Sequence, residues 1–301
     1  MNKLGIIISN EYRTDIKSKS FWISTFVVPL IAVLFGVFVG LMASESDSFI
    51  SMQKSITPTP NEEEMTGLKV LGMMAGLFLV IFTMMYGSQI FNKVKVEKCN
   101  RIVEVLATCV DGRTLMFAKI ISVALIGLTQ LLLWFLLIAG VGVVILFISP
   151  VDFPWHYLWD SRVIAAFLWS VAFFVGGYIF YGSLFAAVGA MTDKNNENQE
   201  YVAVLTFLLL GSFYIGEFAV DNGSSAFAVA CSYIPFTSPS VGAVNAITGA
   251  VPFWQSLLSV FSLYFFALVS LSLSGKIYTS SLLLKGKRFT LSDIVTFLKS
   301  K

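Results

Sequence analysis

Six stretches of this chain carry no charged residue, and they constrain the fold more than any motif does. They run over Ser20–Ser44, Val70–Asn92, Ile120–Val151, Val163–Thr192, Tyr201–Gly216 and Asn222–Gly275. A helix crossing the hydrocarbon core needs roughly 20 apolar residues, and a charge at its centre costs roughly 2.5–3.5 kcal/mol on insertion scales. With 56% hydrophobic and 13% charged residues and a mean hydropathy of +0.81, the chain lies outside the range of soluble domains. It reads as an all-α integral membrane protein forming a single transmembrane domain over residues 1–301. The first apolar run ends in Ser-Glu-Ser-Asp rather than at a small-residue cleavage site, which marks a retained anchor. Cys99, Cys109 and Cys231 imply no disulfide framework. Nothing in the charge pattern supports binding to nucleic acid.

The last window is too long for one crossing, and the basic residues decide how it is used. With six spans and a cytoplasmic N-terminus, 17 Lys and Arg fall inside and three, Lys54, Lys69 and Arg162, outside. A seventh span would leave 11 against nine and erase the positive-inside bias. Six spans are therefore expected, at about 21–43, 70–91, 115–148, 163–191, 201–220 and 254–275, with both termini cytoplasmic. Residues 226–250 must then enter and leave from one side. Pro235 and Pro239 predict a broken, re-entrant pair of short helices there, with an ordinary external loop as the other reading. Residues 44–69, with "TPTPNEEE", read as a loop. Gly36 with Gly40 and Gly72 with Gly76 space small residues so as to permit close helix approach.

Between spans two and three, "VEKCNRIVEVLATCVDGRTLMFAK" (96–119) is crowded with both signs of charge. On a helical wheel Ile102, Val103, Leu106, Ala107 and Val110 share one face, and Glu97, Arg101, Glu104 and Thr108 the other. One reading is an interfacial helix whose Lys93, Lys95 and Lys98 touch anionic lipid. The other is a docking element, since a mixed-sign face suits a groove in a protein partner better than a uniformly anionic surface. Within the spans, Gln89, Gln130 and Glu217 are the strongly polar side chains at membrane depth and are candidates for a pathway or gate. His156, beside Trp155, Tyr157 and Trp159, reads as an interfacial belt residue rather than a catalyst.

The segment "EKCNRIVEVLATCVDGRTLMFAK" resembles the E-K-x-x-R-x-x-E-V-L signature of type-2 ABC transporter permeases, in the branch with the NatB-like sodium-efflux permeases. "YGSLFAAVGAMTDKNNENQ" (181–199), "YIPFTSPSVGAVNAITGAVPFWQ" (233–255) and "SGKIYTSSLLLKGKRFTLSDIVTFLK" (274–299) resemble further segments of that family, in the same order. The resemblance implies a cytoplasmic coupling helix at 97–110 whose Glu97, Arg101 and Glu104 dock on a separate ATPase. It also implies an amphipathic N-terminal helix whose Glu11, Arg13 and Asp15 offer a second contact, a snorkelling anchor being the other reading of that helix. The sequence holds no G-x-x-x-x-G-K-[ST] phosphate loop, no catalytic constellation and no metal motif. By the resemblance, ATP and Mg are bound by two partner ATPase subunits, and a second permease copy, identical or related, completes an exporter in the inner (cytoplasmic) membrane of the cell. A pathway with so little charge suits amphiphilic or apolar cargo better than a bare cation. A motor-independent channel or scaffold is the alternative.

Overall fold

The computed structural model describes residues 3–19, 21–23, 25–27, 60–99, 112–148, 160–192 and 200–283. Among the described residues the helices are, in order, α1 (Lys3–Ile16), α2 (Pro60–Cys99), α3 (Gly112–Ile148), α4 (Ser161–Met191), α5 (Glu200–Asn222), α6 (Ala226–Tyr233), α7 (Ser238–Thr248) and α8 (Phe253–Leu283). Residues 21–23 and 25–27 are also helical. Five of these helices are long and apolar enough to cross a membrane: α4, α5, and Lys69–Lys98, Thr114–Trp134 and Phe253–Ser281 within α2, α3 and α8. Most of the expected first span, residues 100–110 of the expected coupling helix, His156 and the C-terminal tail lie outside the described residues.

The helices pack around α4, which lies against α2 on one side and α8 on the other. Its first turn is capped by Asp160, whose carboxylate accepts from the Arg162 N–H at 2.9 Å. Its last turn is closed by the Thr192 N–H on the Val188 and Gly189 carbonyls. The expected loop at 44–69 is corrected at its far end, because α2 already begins at Pro60. The order of residues explains this: proline suits the first helical position, and Glu62, Glu63 and Glu64 follow where the helix dipole favours negative charge.

The short helices α6 and α7 stand between α5 and α8 in the chain, and α7 packs against α2, α4 and α5. At one end of the bundle the Lys69 ammonium on α2 pairs with Asp221 on α5 at 2.8 Å, and Phe253 of α8 packs on Trp169 of α4. The corner between the two helices reaches much deeper, since the Tyr181 hydroxyl donates to the Phe236 carbonyl at 2.6 Å. Tyr181 stands 20 residues into α4, roughly 30 Å along it at 1.5 Å per residue. A helix end within the bundle leaves backbone carbonyls that need partners. Hydroxyls supply them: Thr237 donates to Cys231 O at 2.5 Å, Ser259 to Ser232 O, and Ser262 to Tyr233 O at 3.1 Å. At the far end of α7, Gly249 closes the helix with φ of 68°, a left-handed position open to glycine.

Close approach is distributed differently from the small-residue pairs expected in the sequence. Gly72 touches α7 at Val244 and Ile247, whereas Gly76 faces open space. The tightest backbone approach is at Gly189, where a Cβ would lie 2.7 Å from the Phe91 carbonyl oxygen of α2. Backbone cannot swing aside as a side chain can. Gly189→Ala is expected to lower stability by about 1–3 kcal/mol, whereas Gly76→Ala should be neutral or stabilising by up to about 1 kcal/mol. Thermal unfolding of the two variants in detergent checks the contrast, which equal melting temperatures would contradict.

Candidate functional site

At the end of the bundle opposite Lys69, α1 lies across α2 and α3 and meets them through charge. Glu11 and Asp15 are four residues apart on α1 and so share a face. Lys93 and Glu97 have the same spacing on α2, and Lys119 and Ser122 sit one turn apart on α3. The Lys119 ammonium, 1% exposed, lies 3.0 Å from Glu11 Oε1 and bonds Glu97 as well. Ser122 Oγ donates to Glu11 Oε2 at 2.6 Å. Lys93 pairs with Asp15 and stands 3.9 Å from Glu11 Oε2. A neutral bond, Tyr12 hydroxyl to Thr129 Oγ1 at 2.7 Å, fixes α1 along α3.

Desolvation sets the energetics. A buried ammonium is tolerable only when paired and hydrogen-bonded, and Lys119 has two carboxylates where one would leave it poorly compensated. Removing one partner of such a pair costs about 3–5 kcal/mol. Burial works against the Glu11 carboxylate, but the charge of Lys119, the Ser122 hydroxyl and Lys93 outweigh it and hold its pKa below the ordinary value. Three carboxylates face two ammonium groups at the junction, and Glu97 Oε2 is buried without a hydrogen-bond partner.

Two cavities open beside the junction. One of about 430 Å³ is lined by Asn10, Glu11, Thr14, Asp15, Asn92, Lys93, Val96 and Glu97. The other, about 270 Å³, shares Asp15, Asn92 and Lys93 and adds Ser18, Phe21, Gln89, Ile126 and Gln130. Gln130, 1% exposed, accepts from the Tyr86 hydroxyl at 2.8 Å.

Of the residues singled out in the sequence, Glu11, Asp15 and Glu97 thus meet in the junction, and Gln89 and Gln130 line the cavity next to it. Arg13 is exposed on the opposite side of α1, and Glu217 is half-buried on α5 at the Lys69 end of the bundle. Arg101 and Glu104 lie outside the described residues. Lys93, read above as a lipid contact, turns inward to Asp15. Lys119 and Ser122 were missed as site residues. The available signal was a lysine one residue before an apolar window, at a place where three carboxylates nearby in the topology wanted partners.

The family follows from a match of residues 50–276 to the model described as ABC-2 family transporter protein. The chain belongs to the ABC-2 transporter family. It is a multi-pass membrane protein. It is 28% identical to the uncharacterized protein YhaP of Bacillus subtilis over 78% of this chain and 56% of that protein. It is 25% identical to the uncharacterized protein MJ1024 of Methanocaldococcus jannaschii over 68% of this chain and 48% of that protein. The chain spans about half the length of these curated relatives. No solved structure matches it.

The junction makes a pH prediction with a defined sign. Because the folded pKa of Glu11 is depressed, its contribution is complete above the ordinary carboxylate value of 4.5 and is lost as pH falls through the lower folded value. In a cysteine-free background with spin labels attached at Arg13→Cys on α1 and Leu132→Cys on α3, the distance distribution between the two helices should be unchanged between pH 7 and 5 and broaden only below 4.5. Adding Glu11→Gln should broaden it already at pH 7, the loss of the pair being equivalent to about 3 kcal/mol; an unchanged distribution would show that the ion pair does not hold α1.

Proposed function

We propose that the chain is the transmembrane permease subunit of an ATP-driven ABC exporter, powered by a separate ATPase that binds ATP and Mg. The observation that carries this reading, beyond family membership, is the tie from Glu97 through Lys119 to Glu11. Glu97 stands in the last turn of α2, where the chain enters the mixed-charge segment. Force delivered to that segment reaches α3 and α1 through one buried ammonium, without first bending the spans.

In this reading Arg101 and Glu104 dock on the ATPase, with exposed Arg13 as a second contact, while Glu11, Asp15 and Glu97 transmit motion within the permease. Six crossings are supported by the position of α1: it lies at the Lys93–Glu97 end, whereas Lys69 of α2 lies at the other, which calls for an odd number of passages between them. The positive-inside bias favours a cytoplasmic α1 end and the inner membrane of the cell. Gln89 and Gln130, beside the junction, are the better placed pathway candidates, and Glu217 belongs to an outer gate. Two ATPases and a second permease copy complete the assembly, and the motif resemblance favours the NatB-like branch with amphiphilic or apolar cargo.

Purification with the ATPase tests the reading. Charge reversal of Arg101 and Glu104 together should abolish co-elution, whereas Lys119→Met should leave co-elution intact and lower ATP-dependent export in vesicles by tenfold or more. Export of lipophilic dyes and of sodium, measured side by side, separates the cargo classes. Transport that persists without any ATPase would replace the exporter with a channel.

A further inference from the structure

We propose that the cleft between α3 and α4, floored by α2, holds one acyl chain of a membrane lipid. The cleft encloses about 240 Å³. On α3 it is lined by Phe117, Ile120, Ile121, Ala124 and Leu128, one helical face about 16 Å long at 1.5 Å per residue. Phe82 of α2 forms the floor, and Phe174 and Tyr178 of α4 the far wall. The three rings lock one another in place, with Phe82 centred 4.7 Å from Phe174 and 6.1 Å from Tyr178, both edge-on.

The lining has nothing polar to offer. The Tyr178 hydroxyl is spent on the Ile120 carbonyl at 3.0 Å, so it is the ring that meets the cleft. An apolar cavity of about 150 Å³ can stay dry and bind an apolar guest, and vacant walls forfeit their dispersion contacts. A site that oriented a drug-like cargo would carry a few placed polar groups. An elongated slot without them suits a flexible hydrocarbon chain.

Position names the source of that chain. The lips of the cleft, Phe117, Leu128 and Val175, are 37%, 52% and 38% exposed and continue into the apolar outer faces of α3 and α4 at Leu132 and Leu168, the bilayer-facing surface of this membrane protein. The helical residues 21–23 and 25–27 do not cover it, for Phe21 and Thr25 lie on the other side of α3: Phe21 shares the polar cavity with Ile126 and Gln130, and the Trp134 indole donates to the Thr25 carbonyl at 3.0 Å. The chain therefore enters sideways from the bilayer and wedges between α3 and α4.

Two experiments decide the matter on the full chain. Native mass spectrometry after purification in mild detergent should show one retained phospholipid, lost in Ala124→Trp, which fills the slot, and kept in Leu132→Trp, which adds the same ring on the exposed face outside it. A phospholipid with a photoactivatable group midway along one acyl chain should crosslink wild-type protein within residues 117–128 and 174–179, a readout that needs no variant to fold. Equal lipid retention in the two tryptophan variants, crosslinks confined to other faces, or uptake of a small apolar dye with no retained lipid would each overturn the proposal.

Discussion

A single ammonium group, that of Lys119, joins the N-terminal helix to α2 and α3. At 1% exposure it is cut off from solvent and is compensated by Glu11 and Glu97 together. That pairing fixes the N-terminal helix across the bundle, fixes the end of α2 against the start of α3, and so places the polar cavities. Away from the polar cavities, Val94, Leu115 and Met116 pack in one buried cluster with Phe21 and Tyr278, and this shields the Lys119 side of the pair from water. The Lys69–Asp221 pair at the other end makes the contrast plain. With side-chain exposures of 36% and 75% it is screened by solvent and contributes little.

The opposite end solves a different problem, that of ending helices at depth. Hydroxyls on α4, on α8 and in the α6–α7 turn itself replace water at the carbonyls of Cys231, Ser232, Tyr233 and Phe236. Ser238 bonded to Ser259 at 3.1 Å and Ser212 bonded to Ser240 at 3.1 Å extend this seam of small polar residues into α5. Small side chains matter twice here, as hydrogen-bonding groups and as spacers that let the backbones of α5 and α7 approach.

Much of this architecture is legible in the sequence because membranes enforce a simple rule. Five of the charge-free windows fall on the five helices long and apolar enough to cross a membrane, and prolines at 235 and 239 flank the break between α6 and α7, since both signals act within a few residues. The start of α2 at Pro60 was hidden by composition: "TPTPNEEE" looks like a solvated loop, yet its proline and acids are also what a helix N-terminus takes. The junction was legible only in part. Glu11, Asp15 and Glu97 stand out as charges at membrane boundaries, but their partners Lys93 and Lys119 do not, because pairing across up to 108 residues is decided by the packing of α1 and not by any local spacing. The tight glycine contacts at Gly177, Gly182 and Gly189 follow likewise from which helices are neighbours.

Helix α2 has a mechanical consequence. At 40 residues it is a rod about 60 Å long, twice the thickness of the hydrocarbon core. It is gripped at two places. Near Gly87, Phe91 and Val94 it lies hard against Phe185 and Gly189 of α4, and at Gly72 it meets Val244 and Ile247 of α7. A rod held at two points carries a push along its length: a displacement at Glu97 is passed to the helix that rests on Gly72, 25 residues and roughly 38 Å away.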